Sequence, residues 1–398
     1  MIKVTTRYLA SNFIPPFMIG FVFFVAFLIT FYMFRIISLI VTKSIEVGIV
    51  LEMVLNLSVS FFPLAAPLAV FFATIYTLNK LSDDSEIIAM RSFGITKFKI
   101  YQPFLIVSLL IGLTIFALSS VYIPKANGNF KNTIVKLTST GMLTSIKSGQ
   151  FFTDIPNATL FAENVSEDGD NFEEVFLHVK DKDSSDLAKK TGEQRIIFAN
   201  KGSLIKLYAN ATQAPSLRLH LTDGNIIKIN SEGDQIEKIL FQEYDFPVFS
   251  AEMSSSMLDK DSMKTNSELA KIIETRQKDY TYNDRFPPKN DIEKRDRAEA
   301  RKTIVKSQIE YFGRFIIVPQ IVFFVLLGFS LGIKKGRGST SNNSIRAIVI
   351  LLSYYGIYFF GLSLAQRGVL SAPLASFTPS VLLGLISIYY FRKLDWVG

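Results

Sequence analysis

The chain has 398 residues, is 49% hydrophobic, carries a formal net charge of +8 and contains no cysteine. The lack of cysteine excludes disulfide staples, so any part outside the cytoplasm is held by packing or by partners, which suits a bacterial periplasm. The positive charge is dispersed beside long apolar runs rather than pooled, which argues for membrane topology and against a nucleic-acid surface.

Six apolar spans are predicted, at about 13–40, 53–79, 101–122, 311–333, 345–365 and 374–391. Each is long enough to cross a hydrocarbon layer of ~30 Å at ~1.5 Å per residue. The first is too long for a signal peptide and lacks a small-residue cleavage site. Basic residues mark one side of the membrane: Lys3 and Arg7; Lys80, Arg91, Lys97 and Lys99; Lys334, Lys335, Arg337 and Arg346; then Arg392 and Lys393. The opposite short segments offer Arg35, Lys43 and Arg367. The positive-inside rule therefore expects both termini in the cytoplasm and the polar insert, from Pro124 to Lys302, outside.

Arg35 lies 22 residues beyond the start of span one, about 33 Å along the helix and close to the outer boundary. Two readings apply to Arg35 and Lys43: topological anchoring by snorkelling, or cations facing an internal cavity that meet phosphate or carboxylate groups of an amphiphile. Span two carries Pro63 and Pro67, which remove two backbone donors and predict a kink or bulge.

Between spans two and three, Leu81–Gly94 reads as a short helix far more apolar than a connecting loop needs. Asp83 is the expected cap, with Glu86 reaching back to it, and Gly94 the left-handed stop. Ile87, Ile88, Met90 and Phe93 make it either an interfacial helix on the headgroups or a helix that docks into a groove of a cytosolic partner. Pro103 is expected in the first turn of span three.

The insert reads as mostly strand, with runs at Thr159–Val165, Glu174–Val179, Arg195–Ala199, Ser203–Tyr208, Leu217–Leu221, Asn225–Ile229 and Lys238–Tyr244. Turn signals separate them at Asp168-Gly169-Asp170, Asn200-Lys201-Gly202, Asp223-Gly224-Asn225 and Glu232-Gly233-Asp234. Asp223-Gly224 is the expected hairpin turn. Such spacing predicts a sandwich, barrel or jelly-roll-like sheet. Ser267–Lys278 and Asp291–Lys306 read as helices, the second running into span four. Lys306, Glu310 and Arg314 recur every four residues there. They form either a structural network on one helix face or, at Arg314, a substrate contact. In the fifth span Ser353, Gly356, Gly361 and Ser363 are expected to allow close helix approach. Span six follows Pro373.

No phosphate-binding loop is present, and Gly336-Arg337-Gly338-Ser339 lacks the required lysine spacing. His178 and His220 have no partner at metal-ligand spacing, and no nucleophile elbow is visible. The chain is therefore expected to be neither a metal site nor an enzyme. None of the spans has a carboxylate near its centre, which argues against an ion-coupled secondary transporter. That transporter and an envelope scaffold or sensor remain the alternative functions.

The arrangement resembles the LptF/LptG family of lipopolysaccharide-export permeases over nearly the whole chain. Asp84-Ser85-Glu86 followed by Ala89–Gly94 resembles the family's coupling helix. Gly149–Phe151, Phe161–Glu163 and Arg195–Gly202 are similar to its external-domain signatures. Glu310–Arg314 with Pro319, then Gly328–Gly332, is similar to its fourth span. The Asp84-Ser85-Glu86 form leans toward the LptF branch, and residues 251–300 match no part of the pattern.

The resemblance implies six transmembrane helices with an extracytoplasmic, all-β, jelly-roll-like domain inserted between helices three and four. The expected parts are 1–123 (with the coupling helix at 82–94), 124–303 in the periplasm, and 304–398. It implies a non-catalytic permease subunit of the bacterial inner membrane that moves lipopolysaccharide toward a periplasmic β-domain bridge. Its partners would be an LptB-like ATPase dimer holding ATP and Mg, a paralogous LptG-like or LptF-like permease, and an LptC-like single-span bridge protein. Asp84, Glu86, Ile87, Met90, Arg91, Phe93 and Gly94 would dock the ATPase, and Arg35, Lys43 and Arg314 would meet the lipid.

Overall fold

The structure is a computed structural model that describes residues 2–43, 46–144, 146–153, 155, 158–166, 168–180, 194–207, 216–229, 236–249, 259–288, 290–333 and 340–394. It divides into two compact units: Met1–Arg35, Val54–Asn127 and Asp261–Gly398 in the first, Ile36–Met53 and Gly128–Lys260 in the second. The predicted turn at Glu232–Asp234 and the loop at Gly336–Ser339 lie outside the described residues.

Proline and glycine shape the helical unit. Helix α1 (Ile2–Lys43) contains Pro15 and Pro16. Pro16 cannot donate to the Asn12 carbonyl, and the Thr77 hydroxyl supplies a hydrogen bond instead, at 3.4 Å. The kink expected in span two is a full break. Helix α2 (Val47–Ser60) ends, the chain turns at Phe61, and α3 (Phe62–Asp83) restarts with Pro63 in its first turn. A short helix, α4 (Glu86–Ser92), leads to α5 (Lys97–Thr144). Pro103 therefore sits inside α5 rather than in its first turn, because the helix starts at Lys97, where Lys99 and Ile100 donate back to the Thr96 carbonyl. Pro124, the expected start of the insert, is also internal to α5, since each proline frees only one carbonyl.

After the sheet come α6 (Asn266–Asp284), α7 (Asp291–Phe315), α8 (Ile317–Gly332), α9 (Thr340–Gln366) and α10 (Ala372–Lys393). Thr265 and Glu268 form a reciprocal capping box at the start of α6. The Thr265 amide donates to the Glu268 carboxylate at 2.8 Å, and the Glu268 amide to the Thr265 hydroxyl at 3.4 Å. Five described segments are long and apolar enough to cross a membrane: Val4–Met33, Phe62–Asp83, Lys97–Val135, Asn343–Gln366 and Ala372–Lys393. Helices α7 and α8 make a sixth span if taken together, bent by 48° at Ile316. Pro319, three residues past the bend, has no amide hydrogen for the Phe315 carbonyl, which accounts for the break.

Lipid tails are as apolar as leucine, so helices in a membrane associate through close packing and polar contacts. The closest packing lies between α3 and α8. A methyl group added at Gly328 would stand 3.1 Å from Thr74 Cβ and 3.2 Å from the Phe71 carbonyl oxygen. One added at Gly332 would stand 3.0 Å from Leu78 Cβ and 3.2 Å from Ile75 Cα. Small residues four apart thus seat α8 on α3. The close approach expected in the fifth span is realised only in part. Gly361 lies against the Ala375 carbonyl, whereas a methyl group added at Gly356 would meet no described atom within 4 Å. Aromatic rings fill the remaining space, as in Phe71–Phe324 at 5.3 Å and Tyr101–Phe329 at 5.3 Å.

The second unit holds a six-stranded antiparallel sheet, β1 (Phe151–Phe152), β2 (Ala158–Val165), β3 (Asn171–Lys180), β4 (Gln194–Leu207), β5 (Ser216–Ile229) and β6 (Ile236–Phe249), in meander order. The β2–β3 turn falls at Gly169, as expected, with φ +71°. The turns expected at Asn200–Gly202 and Asp223–Asn225 do not form. Both segments run through single 14-residue strands. Glycine is needed there for a different reason. A methyl group on Gly224 would collide with the Phe198 carbonyl and the Phe241 ring, and one on Gly202 would lie 3.1 Å from Leu221 and 3.2 Å from Val175.

The residues around these glycines form a corner across the sheet. In β2 to β6 the inward-facing alternation is reset by two consecutive residues that do not face the core: Glu163-Asn164, Glu173-Glu174, Asn200-Lys201, Thr222-Asp223 and Gln242-Glu243. The register aligns Glu163, Glu174, Asn200, Asp223 and Gln242 side by side, and these five positions are skipped in the ladder. Glu174 and Asp223 take positive φ, 48° and 54°. One member of each doublet is thus the extra residue that bends its strand and flips the face beyond it. Core side chains such as Leu177, Ile197, Leu219 and Leu221 are fully covered in consequence.

Candidate functional site

Helix α4 is mounted on the helical unit at both ends and by one face. Its cap is not the expected one. Asp83 is the last residue of α3, and Ser85, in a left-handed conformation at φ 62°, precedes α4 without a side-chain cap. The Glu86 carboxylate is turned elsewhere and accepts a 2.8 Å hydrogen bond from the Tyr8 hydroxyl of α1. Gly94 stops the helix as expected, at φ +72°, with its amide on the Arg91 carbonyl at 2.9 Å and the Ile95 amide on the Met90 carbonyl at 3.2 Å.

The apolar residues of α4 divide by face. Ile87 is 2% exposed, in the same core as Leu9, Phe13, Leu81, Ile100 and Tyr101, and Met90 packs against that core. These two anchor the helix. Phe93 is 79% and Ile88 55% exposed, and Asp84 is also exposed. Arg91 is half-buried. The outward surface is therefore Asp84, Ile88, Phe93 and Gly94, with Glu86 at its margin. A cavity of about 550 Å³ lies between α1 and α3, lined by Asn12, Pro16, Gly20, Phe72, Tyr76 and Lys80, among others.

Of the three residues expected to meet lipid, the structure describes the side chain of Arg314. Arg35 and Lys43 belong to α1, and their side chains lie outside the described residues. Arg314 is 6% exposed, and its donors are engaged within the protein. Nη1 donates to the Lys264 carbonyl and to Asn266 Oδ1, both at 2.8 Å, and Nη2 to Glu310 Oε1 at 3.1 Å. Arg314 thus works as a clamp between α7 and the start of α6, with the pairing to Glu310 that the four-residue spacing predicts. Ser307, fully buried, extends the clamp: it donates to Asp261 Oδ2 at 2.7 Å and accepts from Arg276 at 2.6 Å.

His220 pairs with Asp245 at 2.7 Å on the neighbouring strand, and His178 Nε2 lies 3.3 Å from Gln194. Among the described residues no three His, Cys, Asp or Glu side chains converge as metal ligands would. The residue that sequence reasoning missed is Tyr8. Its only signal is a tyrosine beside Arg7 at the start of an apolar run, ordinary as an interfacial anchor.

The family model described as lipopolysaccharide export system permease LptF/LptG matches residues 7–393. No curated protein matches the chain.

Proposed function

The chain belongs to the LptF/LptG family of lipopolysaccharide-export permeases, and from that premise we propose that it is one of two permease subunits through which a cytoplasmic ATPase drives lipopolysaccharide out of the inner membrane. The observation that carries this reading is α4. It is a short helix with a covered inner face, on which Ile87 is 2% exposed, and with Ile88 and Phe93 turned outward. An interfacial helix needs no such rigid mount; a helix that receives force does. Asp84, Glu86, Arg91 and Gly94 complete the docking surface, while Ile87 and Met90 hold it in place. The chain has no nucleotide-binding motif of its own, so ATP and Mg belong to the partner.

On the other side of the membrane, Arg35 and Lys43 supply cations for the phosphates of the lipid. Arg314 is assigned to the clamp instead. The periplasmic sheet passes the lipid onward to a bridge of similar domains. Its long last strand, β6, pairs among the described residues with β5 alone, and an edge of that kind suits strand addition by a neighbour.

The test is purification from membranes in mild detergent. An ATPase and a second six-span chain are expected to co-purify, and Glu86→Lys is expected to lose assembly or ATP turnover. Unchanged assembly and turnover in that variant would remove the docking role. Photo-crosslinkers at positions 35 and 43 are expected to capture lipopolysaccharide. Capture of bulk phospholipid alone assigns both residues to membrane anchoring.

A further inference from the structure

We propose that Tyr8 is a positioning residue for the docking helix, and that its hydrogen bond to Glu86 is the joint through which α4 and α1 move together. The inference rests on the docking reading of α4 above and adds to it a specific side chain on another helix.

Contacts of two different chemistries help fasten α4 to the first span. Ile87 is buried in the core that contains Leu9 and Phe13 of α1, an attachment that tolerates sliding because dispersion contacts have no direction. The Tyr8–Glu86 bond, at 2.8 Å, is directional and charge-assisted, and it fixes where the carboxylate stands. Glu86 is the first residue of α4 and follows Ser85, held at φ 62°. A first-turn carboxylate would ordinarily turn toward its own helix end or its preceding cap. Here it is held by a phenol 78 positions earlier in the chain. Tyr8 itself is 43% exposed, so packing alone does not dictate its rotamer. The same turn of α1 is braced on the other side: the Ser11 hydroxyl and the Asn12 amide both donate to the Tyr8 carbonyl, at 2.8 and 3.0 Å, and Thr77 of α3 donates to the Asn12 carbonyl. A push on α4 therefore reaches the backbone of α1 through a directional polar bond set in a braced turn. Loss of the hydroxyl leaves the apolar seat intact and removes the directional link.

The experiment uses the whole complex, purified from membranes and reconstituted into liposomes containing lipopolysaccharide, with ATP hydrolysis and lipid release measured together. Tyr8→Phe is expected to assemble with the ATPase in the native ratio and to release at least fivefold less lipopolysaccharide per ATP hydrolysed. Combining it with Glu86→Gln is expected to lower that ratio no further than the worse single variant, since both act on one bond. A purely structural role would reduce the assembled fraction and leave release per ATP unchanged, and that result overturns the proposal. So does an additive double variant. Should Tyr8→Phe not assemble, difluorotyrosine at position 8 keeps the shape and makes the phenol more acidic. Release per ATP is then expected to fall once the pH is high enough to ionise the phenol beside Glu86, by phenolate–carboxylate repulsion, and a profile identical to that of the unsubstituted complex overturns the proposal. If Glu86→Lys assembles and turns over ATP normally, the docking reading itself fails. If Glu86→Lys is defective and every Tyr8 variant is normal, only the joint fails.

Discussion

The helical unit and the sheet both place glycine where two backbones come close, but the two glycine pairs do different work. Gly328 and Gly332 lie on a regular helix whose path does not depend on them. They set how near α8 comes to α3, with added methyl groups 3.0–3.2 Å from their neighbours. Gly202 and Gly224 adjoin a corner at which the facing of each strand reverses, and at Gly224 the obstruction is the backbone and an aromatic ring. A helix pair can separate slightly and keep its hydrogen bonds, because those bonds are internal to each helix. A sheet cannot, because its bonds are the contacts between strands. The same small residue is thus a spacing device in one unit and a condition of the fold in the other.

The largest effect that tests this contrast is Gly224→Ala. We expect destabilisation on the order of 4 kcal/mol, seen as increased protease sensitivity of the sheet in the detergent-purified protein. Arg314→Met comes next. It leaves Glu310, the Lys264 carbonyl and Asn266 short of their partner, and a loss of roughly 2–3 kcal/mol is expected from thermal unfolding in detergent. Gly328→Ala should cost about 1–2 kcal/mol, because a few tenths of an ångström of helix separation relieve it. If Gly328→Ala proves costlier than Gly224→Ala, the contrast is wrong.

The smallest effect is on pH dependence, and its sign differs between the units. The capping bond from the Thr265 amide holds the Glu268 carboxyl below its ordinary value of 4.5. Its contribution is therefore present above that value and is lost as pH falls through it and then through the folded-state value. Glu174 is the reverse. Its hydrogen bond and repulsion with Glu163 raise its value, so stability is highest at low pH and declines as pH rises from 4.5 through the raised value. Melting curves from pH 3 to 6 should therefore change slope in opposite directions in Glu268→Gln and Glu174→Gln.

What the sequence made legible follows the same division. Apolar length alone located the spans, since a membrane imposes one requirement on every residue of a segment. The break at Pro63 was legible from its missing donor, whereas the bend before Pro319 was not expected, since the apolar run continues through it. The extent of α5 was not, because Pro103 and Pro124 are each consistent with either a helix end or a tolerated interruption. In the sheet, Asp223-Gly224 carries the strongest local hairpin signal, yet its neighbours on either side forced a continuous strand. The visible clue was collective: a polar doublet between core-packed positions repeated in five strands, as in Phe172-Glu173-Glu174-Val175 and Leu221-Thr222-Asp223-Gly224. No single strand reveals it. In the candidate site the stop at Gly94 was legible, but the facing of α4 was not: Ile87 and Met90 were expected on the docking surface, and they turn inward to the core. The Tyr8–Glu86 bond was not legible either, since nothing local links residues 78 apart.

The corner in the sheet also constrains how this unit can change over generations. A residue deleted from any one of the five doublets would turn that strand's remaining half inside out while its neighbours kept their facing. The five doublets therefore act as a set, and the length of each strand up to the corner is matched to the strand beside it. An insertion or deletion that keeps every facing intact is therefore expected at the hairpin tips, where no neighbour's register depends on it.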